Sequence, residues 1–173
     1  RRERLADPID TAVLQAGERF GLDRIALIEQ RPAVAVVPFA SSRQLMASFH
    51  RDRAGLVACA KGAPRRIIGR CAATAAGATL DDAGRQRLIA VNDALAQQGL
   101  RVLAVAFGAV TTSDEAALHD LTFAGLLGFM DPPAPGVRES IARLRTAGLR
   151  TVMLTGDQWL TARTVGHDLG LLD

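Results

Sequence analysis

Two short sequences in this chain combine residue types that suit the binding of a phosphorylated or otherwise polar ligand. The first is AKGAP, which contains Lys61 and Gly62, and Lys61 is the only lysine in a chain with 21 Lys and Arg residues. A lysine is a compact charge on a slender stem, whereas arginine is a planar fork that needs more room. Glycine lets a ligand approach the backbone closely. The sequence therefore predicts a pocket at Lys61 that a guanidinium group does not fit.

The second sequence is Thr155-Gly156-Asp157, which follows the continuous apolar run at 149–154. Such a run predicts a buried strand of the parallel kind, and open α/β sheets bind ligands at the carboxyl ends of their strands. Upstream, Asp131 precedes a segment with three prolines in four positions, which fits neither a strand nor a helix interior. From its position alone, Asp131 is read as a turn residue before proline.

The elements that position these residues follow from periodicity and from helix and turn signals. Asp7 and Pro8 open a helix with Asp10 in its first turn, and the helix is expected to end near Gly21. A second helix is predicted at 81–98 because its apolar residues recur at helical spacing. Alternating or continuous apolar runs, with a hairpin turn at 51–55, predict strands at 24–30, 33–39, 44–50, 55–60 and 100–107.

The pattern changes near residue 125. A strand over 121–129, the proline break, a helix ending at Gly148, the 149–154 strand and a further helix give the α/β parallel-sheet pattern. We therefore predict an α+β domain with an antiparallel sheet and flanking helices at 1–125. A partial Rossmann-like α/β unit is predicted at 126–173.

Composition excludes some other functions. The net charge is +3, but the arginines are scattered among acidic residues rather than forming a basic stripe, so nucleic acid is not an expected partner. The two cysteines and three histidines lack metal-ligand spacing, so no metal site is expected within the chain. No apolar run reaches the length of roughly 18 residues that spans a bilayer. We expect the chain to be soluble.

Several motifs occur together and in a recognisable order. They are Asp10 after Asp-Pro, PFASSRQLM, AKGAP, GLRVLAVA, and DPPAPGVRESIARLRTAGLRTVMLTGD followed by LTA. Together they resemble the cytoplasmic portion of a cation-transporting P-type ATPase, in particular the calcium-pump-like subgroup. This resemblance covers nearly the whole chain. It implies a nucleotide-binding domain at 1–125, inserted into a phosphorylation domain of haloacid-dehalogenase type that resumes at 126–173.

The resemblance also implies residues at the adenine end of a bound ATP. Phe39 matches the ring that stacks on adenine, although a core phenylalanine at a strand end is the alternative. Asp10 matches the acid near the adenine amino group, and it also suits the first turn of a helix. Lys61 and Gly62 match the lysine-glycine pair of the nucleotide pocket.

At the phosphate end, the resemblance implies Arg101, with an exposed strand-edge arginine as the alternative. Arg43 is a weaker phosphate candidate. Thr155, Gly156 and Asp157 match the sequence that receives the transferred phosphoryl group, and Asp131 matches the hinge-side aspartate.

The phosphorylated aspartate of such pumps lies in a DKTGT sequence, which is absent here and is expected before residue 1. We therefore expect this chain to bind ATP without hydrolysing it, with Mg²⁺ acting in the full-length enzyme. The implied partners are the rest of the phosphorylation domain, the actuator domain and the transmembrane helices. The implied location is a cytoplasmic domain of an integral membrane protein.

Two alternatives stay open at this point. A free-standing haloacid-dehalogenase phosphatase with a cap is the rival enzyme, but the chain lacks a DxDx[TV] nucleophile motif. A stand-alone nucleotide-binding or nucleotide-sensing module is the rival without catalysis, and a nucleic-acid-binding protein comes third.

Overall fold

One mixed sheet of six strands, in the order β1-β2-β3-β5-β6-β4, organises most of the chain. The computed structural model describes residues 8–53, 55–130, 133–156 and 159–172. The strands are β1 (Ala33–Ala40), β2 (Leu45–Asp52), β3 (Gly55–Gly62), β4 (Cys71–Thr74), β5 (Arg101–Val110) and β6 (Leu121–Phe129). The helices are α1 (Pro8–Arg19), α2 (Arg24–Gln30), α3 (Pro64–Ile68), α4 (Asp82–Gln97), α5 (Val137–Thr146) and α6 (Trp159–Asp168), with a short 3-10 helix at Glu115–Ala117.

Among the first five strands in this spatial order, neighbours pair antiparallel. The sixth, β4, pairs in parallel with β6. The predicted α+β domain with flanking helices is therefore confirmed, and its sheet departs from the predicted antiparallel one at β4. β6 pairs with β5 from Phe129 opposite Arg101 to Thr122 opposite Phe107. The boundary predicted after residue 125 thus falls inside a strand of this sheet, and the division of the chain into two domains stays a prediction.

The two faces of the sheet have different surroundings. The inner face carries small or apolar residues that are almost fully buried, with Ala47, Ala60 and Ala104 in one region of adjacent strands. These residues pack in one core with Ile67 and Ile68 of α3 and with partly buried residues of α4. The outer face carries the alternate residues of the same strands, which are half-buried or exposed. α1 lies on this outer face.

Three predictions about elements are wrong. Residues 24–30 form the helix α2 rather than a strand, because the Asp23 carboxylate caps the helix by accepting hydrogen bonds from the amides of Ile25 and Ala26 at 2.8 and 3.2 Å. Residues 149–154 form no strand. The strand over 121–129 was assigned to a parallel-sheet pattern, but it pairs antiparallel with β5 and in parallel only with the short strand β4.

The segment after the proline break contains α5, an extended stretch and α6. Leu149, Val152 and Leu154 are 58%, 68% and 92% exposed, so the apolar run that predicted a buried strand has no sheet to join within the described residues. α6 packs against α4 instead of covering a parallel sheet. The haloacid-dehalogenase-type unit stays a prediction.

Candidate functional site

An ion pair joins the first turn of α1 to the outer face of the sheet. The Lys61 ammonium group donates a hydrogen bond to Oδ1 of Asp10, and their side chains keep 29% and 45% of their exposure. The two residues are 51 positions apart in the sequence. The structure therefore brings together two of the residues predicted for the adenine end.

Phe39 lies near the end of β1, beside a register shift between Val37 and Ala40 that marks a bulge in this strand. Ala40 pairs with the fully buried Leu45, whose neighbour Met46 lies on the outer face. Met46 pairs in turn with Lys61. Phe39 is 60% exposed, which makes a role as a core phenylalanine wrong.

Met46 is a neighbour of Lys61 that sequence reasoning did not propose as a binding residue. Phe39, Met46 and Lys61 lie on three adjacent strands, so the first and third strands are separated by about 10 Å, twice the usual strand spacing. Met46 lies on the middle one of these strands, directly opposite Lys61. The alternation of β2 already indicates that Met46 and Leu45 lie on opposite faces. Only the pairing register shows that Met46 lies next to Lys61. We call Asp10, Phe39, Met46 and Lys61 the outer-face cluster.

Gly62 has a different environment from the one expected. It pairs with Leu45 and Ala104 on the inner face and is buried. A Cβ at this position would lie 2.4 Å from the carbonyl oxygen of Gln44 and 2.7 Å from Cα of Leu45. The close approach that Gly62 permits is therefore that of the neighbouring strand β2.

Arg101 shares the outer face with Lys61. Lys61 pairs with Val105, and Arg101 lies four positions from Val105 on β5, which is two periods of the strand and about 13 Å. Arg101 lines a cavity of about 920 Å³ that is bounded by α1, β6 and α6. A second cavity, of about 380 Å³, lies on the other side of α1, over β2 and β3. α1 thus crosses the outer face between two cavities, and none of its described residues is buried.

Arg43 is engaged elsewhere. Its Nη1 donates to Oε2 of Glu115 at 2.6 Å, and Oε1 of the same carboxylate lies 3.6 Å from Nη2 of Arg70. Arg70 also donates to the carbonyl of Leu118 at 2.9 Å. This network, Arg43-Glu115-Arg70, ties the β1–β2 turn to the connection between β5 and β6.

The Thr155-Gly156-Asp157 sequence is only partly described. Thr155 and Gly156 are exposed and lie in the extended stretch before α6. Neither of them lines the cavity that contains Arg101. Asp157 and Asp131 fall outside the described residues.

The two thiols differ in environment. Cys59 lies on the outer face two positions from Lys61, opposite Ser48 and Phe107, and is exposed. Partial burial raises the pKa of its thiol, and the charge of Arg31 opposes this in part. Cys71 is buried and donates to the carbonyl of Ile67 at 3.1 Å, and burial raises its pKa to about 11.

The described residues lack two features, a metal-binding cluster and a membrane-spanning helix. They contain no group of three or more His, Cys, Asp or Glu side chains placed to hold a metal ion. Among them, no helix is both long and apolar enough to cross a membrane.

Comparison with known proteins places the chain in a family. Residues 1–136 match the family described as "P-type ATPase, cytoplasmic domain N". This chain belongs to that family. It is 32% identical over 179 residues to "Calcium-transporting ATPase 1" of Lactococcus lactis and 34% identical over 175 residues to "Probable cation-transporting ATPase F" of Mycobacterium bovis. It is 35% identical over 175 residues to "Calcium-transporting ATPase" of Bacillus subtilis.

These alignments cover 98%, 98% and 96% of the chain, and 20%, 19% and 20% of the respective relatives. The chain therefore spans about a fifth of the length of the curated relatives it matches.

Proposed function

We propose that this chain is the ATP-binding part of a cation-transporting P-type ATPase, and that the outer-face cluster holds the adenine end of the nucleotide. The observation that supports the proposal is the ion pair between Lys61 of β3 and Asp10 of α1, with the exposed Phe39 on β1, two strands away from Lys61. These three residues come from separate parts of the sequence. Family membership supports the same function, since the relatives are named as calcium- or cation-transporting ATPases.

In this proposal, the purine ring enters between Phe39 and Lys61 and lies over Met46. The exposed Phe39 ring offers a stacking face, and stacking of a base on an aromatic ring contributes about 1–3 kcal/mol. Asp10 accepts a hydrogen bond from the exocyclic amino group of adenine. Because Asp10 and Lys61 now bond to each other, the nucleotide has to replace that ion pair with contacts of its own.

The phosphates extend along β5 toward Arg101. Arg101 lies on the same face as Lys61, and the separation of about 13 Å along the strand is of the order of the length of a nucleoside triphosphate. A guanidinium group matches phosphate oxygens with paired hydrogen bonds. Arg43 takes no part in this scheme, because Glu115 holds its guanidinium group.

The chemical step belongs to the whole protein. The chain has no DKTGT sequence, so we place the aspartate that accepts the γ-phosphoryl group elsewhere in the whole protein, in a phosphorylation domain to which residues 126–173 contribute. Thr155, Gly156 and Asp157 then meet the transferred phosphoryl group, and Asp131 lies at the hinge. Mg²⁺ is required for that step and is held outside residues 1–125. The actuator domain and the transmembrane helices complete the pump, with this chain on the cytoplasmic side.

Titration of the 173-residue chain with ATP, followed by NMR, tests the proposal. We expect weak binding with little dependence on Mg²⁺, and shifts that are concentrated at Lys61, Met46 and the first turn of α1. Phe39→Ala should weaken binding by about tenfold, as expected for the loss of one stacking contact. Val34→Ala, on the same strand and 50% exposed, is the matched control and should bind as the wild type does.

Two results would contradict the proposal. One is the absence of any ATP-dependent shift at millimolar nucleotide. The other is a measurable rate of ATP or phosphomonoester hydrolysis by the chain itself, which would favour the phosphatase alternative.

A further inference from the structure

The C-terminal end of α4 leads directly into Arg101, and its geometry is set by a tight helix end. Gly99 has a φ of +80° and follows the last turn of α4. The amide of Gly99 donates to the carbonyl of Ala96 at 3.0 Å, and the amide of Leu100 donates to the carbonyl of Leu95 at 3.3 Å. This is the hydrogen-bond pattern of a glycine-terminated helix. These bonds fix the amides of Gly99 and Leu100, but they do not involve the carbonyl of Leu100.

Thr161 of α6 supplies a hydrogen-bond partner for this carbonyl. Its hydroxyl group donates to the carbonyl oxygen of Leu100 at 3.0 Å, and the residue is only 4% exposed. A buried hydroxyl group that makes such a bond is held firmly, since losing the partner would leave a polar group unpaired. Thr161 also lines the cavity of about 920 Å³ that Arg101 lines.

The Leu100 carbonyl belongs to the same planar peptide unit as the backbone nitrogen of Arg101. The hydrogen bond from Thr161 therefore fixes the peptide plane that precedes Cα of Arg101. The direction in which the Arg101 side chain leaves the backbone depends on that plane. On the other side, Arg101 is fixed by its pairing with Phe129 of β6. The first residue of β5 is thus held by the sheet and by α6 together.

We infer that Thr161 is a positioning residue for the phosphate end of the nucleotide, acting through the Leu100–Arg101 peptide. This inference rests on the proposed function, because it takes Arg101 as the phosphate-binding arginine. It links α6, which follows the Thr155-Gly156-Asp157 sequence, to the site on β5.

Thr164 offers an internal control. Its hydroxyl group lies 3.1 Å from the carbonyl of Gln97 in α4 and 3.1 Å from the carbonyl of Leu160 in its own helix, α6. Thr164 thus helps to dock α6 on α4 through the same kind of hydrogen bond that Thr161 makes. Its acceptor lies three positions before Leu100, so this bond does not involve the peptide of Arg101. A general loosening of α6 should appear in variants of both threonines, whereas loss of Arg101 positioning should appear only with Thr161.

The test compares ATP with adenosine as probes of the 173-residue chain. Thr161→Val removes the hydroxyl group with little change in shape, and we expect ATP binding about fivefold weaker, the factor for one lost hydrogen bond of about 1 kcal/mol. Adenosine binding should be unchanged, because it does not use Arg101. Thr161→Ser should restore ATP affinity, and Thr164→Val should leave it at the wild-type value.

A double-mutant cycle completes the test. If Thr161 acts through Arg101, Thr161→Val should have no further effect on ATP affinity in an Arg101→Ala background. The inference is overturned if Thr161→Val leaves ATP affinity unchanged, or if it weakens ATP and adenosine equally. It is also overturned if Thr161→Val and Thr161→Ala both lose adenosine binding, because Thr161 would then be needed only for folding. Failure of the wild-type chain to bind either probe would instead contradict the proposed function.

Discussion

Lys61 of β3 and Asp10 of α1 bond to each other across the gap between the sheet and the helix. In the proposed binding mode both residues lie at the adenine end, so the nucleotide would have to enter where the ion pair now lies. The pair also tethers a helix that buries none of its described residues and has a cavity on each side. The proposed binding mode therefore predicts that nucleotide binding and the position of α1 are coupled through these two side chains.

Lys61→Arg should weaken ATP binding nearly as much as Lys61→Ala does. A guanidinium group can pair with the Asp10 carboxylate through two parallel hydrogen bonds, which holds it on Asp10 more firmly than an ammonium group. It is also broader, and the space between Phe39 and the third strand has to hold the purine. Calorimetric or NMR titration with ATP checks this, with circular dichroism to show that both variants fold. An unchanged affinity for the arginine variant would mean that only the charge matters.

Asp10→Asn should loosen α1 with little loss of global stability. Because the pair is partly exposed, its removal should lower the free energy of unfolding by less than about 1 kcal/mol. Hydrogen exchange of the α1 amides should nevertheless become faster, while exchange in β2 stays the same. Glu18→Gln, which removes a charge from the same helix, is the control and should leave α1 protected. Equal exchange rates in wild type and Asp10→Asn would show that the ion pair does not hold the helix.

Gly62→Ala should destabilise the protein by more than about 2 kcal/mol, toward the upper end of the range for overpacking. The added Cβ would meet the backbone of Gln44 and Leu45 at 2.4 and 2.7 Å, and backbone cannot move aside as a flexible side chain can. Urea unfolding gives the measurement. In Gly17→Ala the nearest atoms lie 3.9 Å from the added Cβ, and the helix gains from alanine, so this control should be slightly more stable. Wild-type stability for Gly62→Ala, together with weaker ATP binding, would restore the role expected from the sequence.

The sequence predicted those features that a local pattern determines. The alternation in β1, β2 and β3 and the helical period of α4 are local, and these elements formed close to where they were expected. A buried strand needs neighbouring strands, which the periodicity of a sequence does not reveal. Residues 149–154 have no such neighbours within the described residues and form no strand. The cap at Asp23 overrode the strand preference of the residues after it.

The same distinction applies to the site. Lys61 was singled out by its residue type, but its partner Asp10 lies 51 positions away, and only the fold places them together. Met46 became a candidate through the pairing register. The inner-face environment of Gly62 could not be predicted, because the sequence does not show which face of β3 the glycine occupies, and its role in nucleotide binding stays a prediction.

Cys59 should react with a thiol reagent well before Cys71 in the native protein. Cys71 is buried, and because its pKa is raised to about 11, its thiol stays protonated at neutral pH. The pKa of Cys59 is also raised, so its reaction should accelerate as the pH rises. Since Cys59 lies two positions from Lys61 on the same face, bound ATP should slow its modification. Mass spectrometry after brief alkylation, with Cys59→Ser as the control, identifies the site; faster labelling of Cys71 would contradict the burial.

Arg43→Ala should lower stability and leave ATP affinity unchanged. Arg43 and Arg70 share the Glu115 carboxylate, so removing Arg43 releases the β1–β2 turn from the connection between β5 and β6. A hydrogen bond to a charged group contributes about 1.5–3 kcal/mol, and we expect a loss at the lower end because these side chains are partly exposed. Glu115→Ala should have a similar effect, and the double variant should be little worse than either, as coupled neighbours behave. Urea unfolding measures the stabilities, and ATP titration separates the two roles of Arg43. If Arg43 contacts phosphate, Arg43→Ala will weaken ATP binding while Glu115→Ala, which frees the guanidinium group, will not.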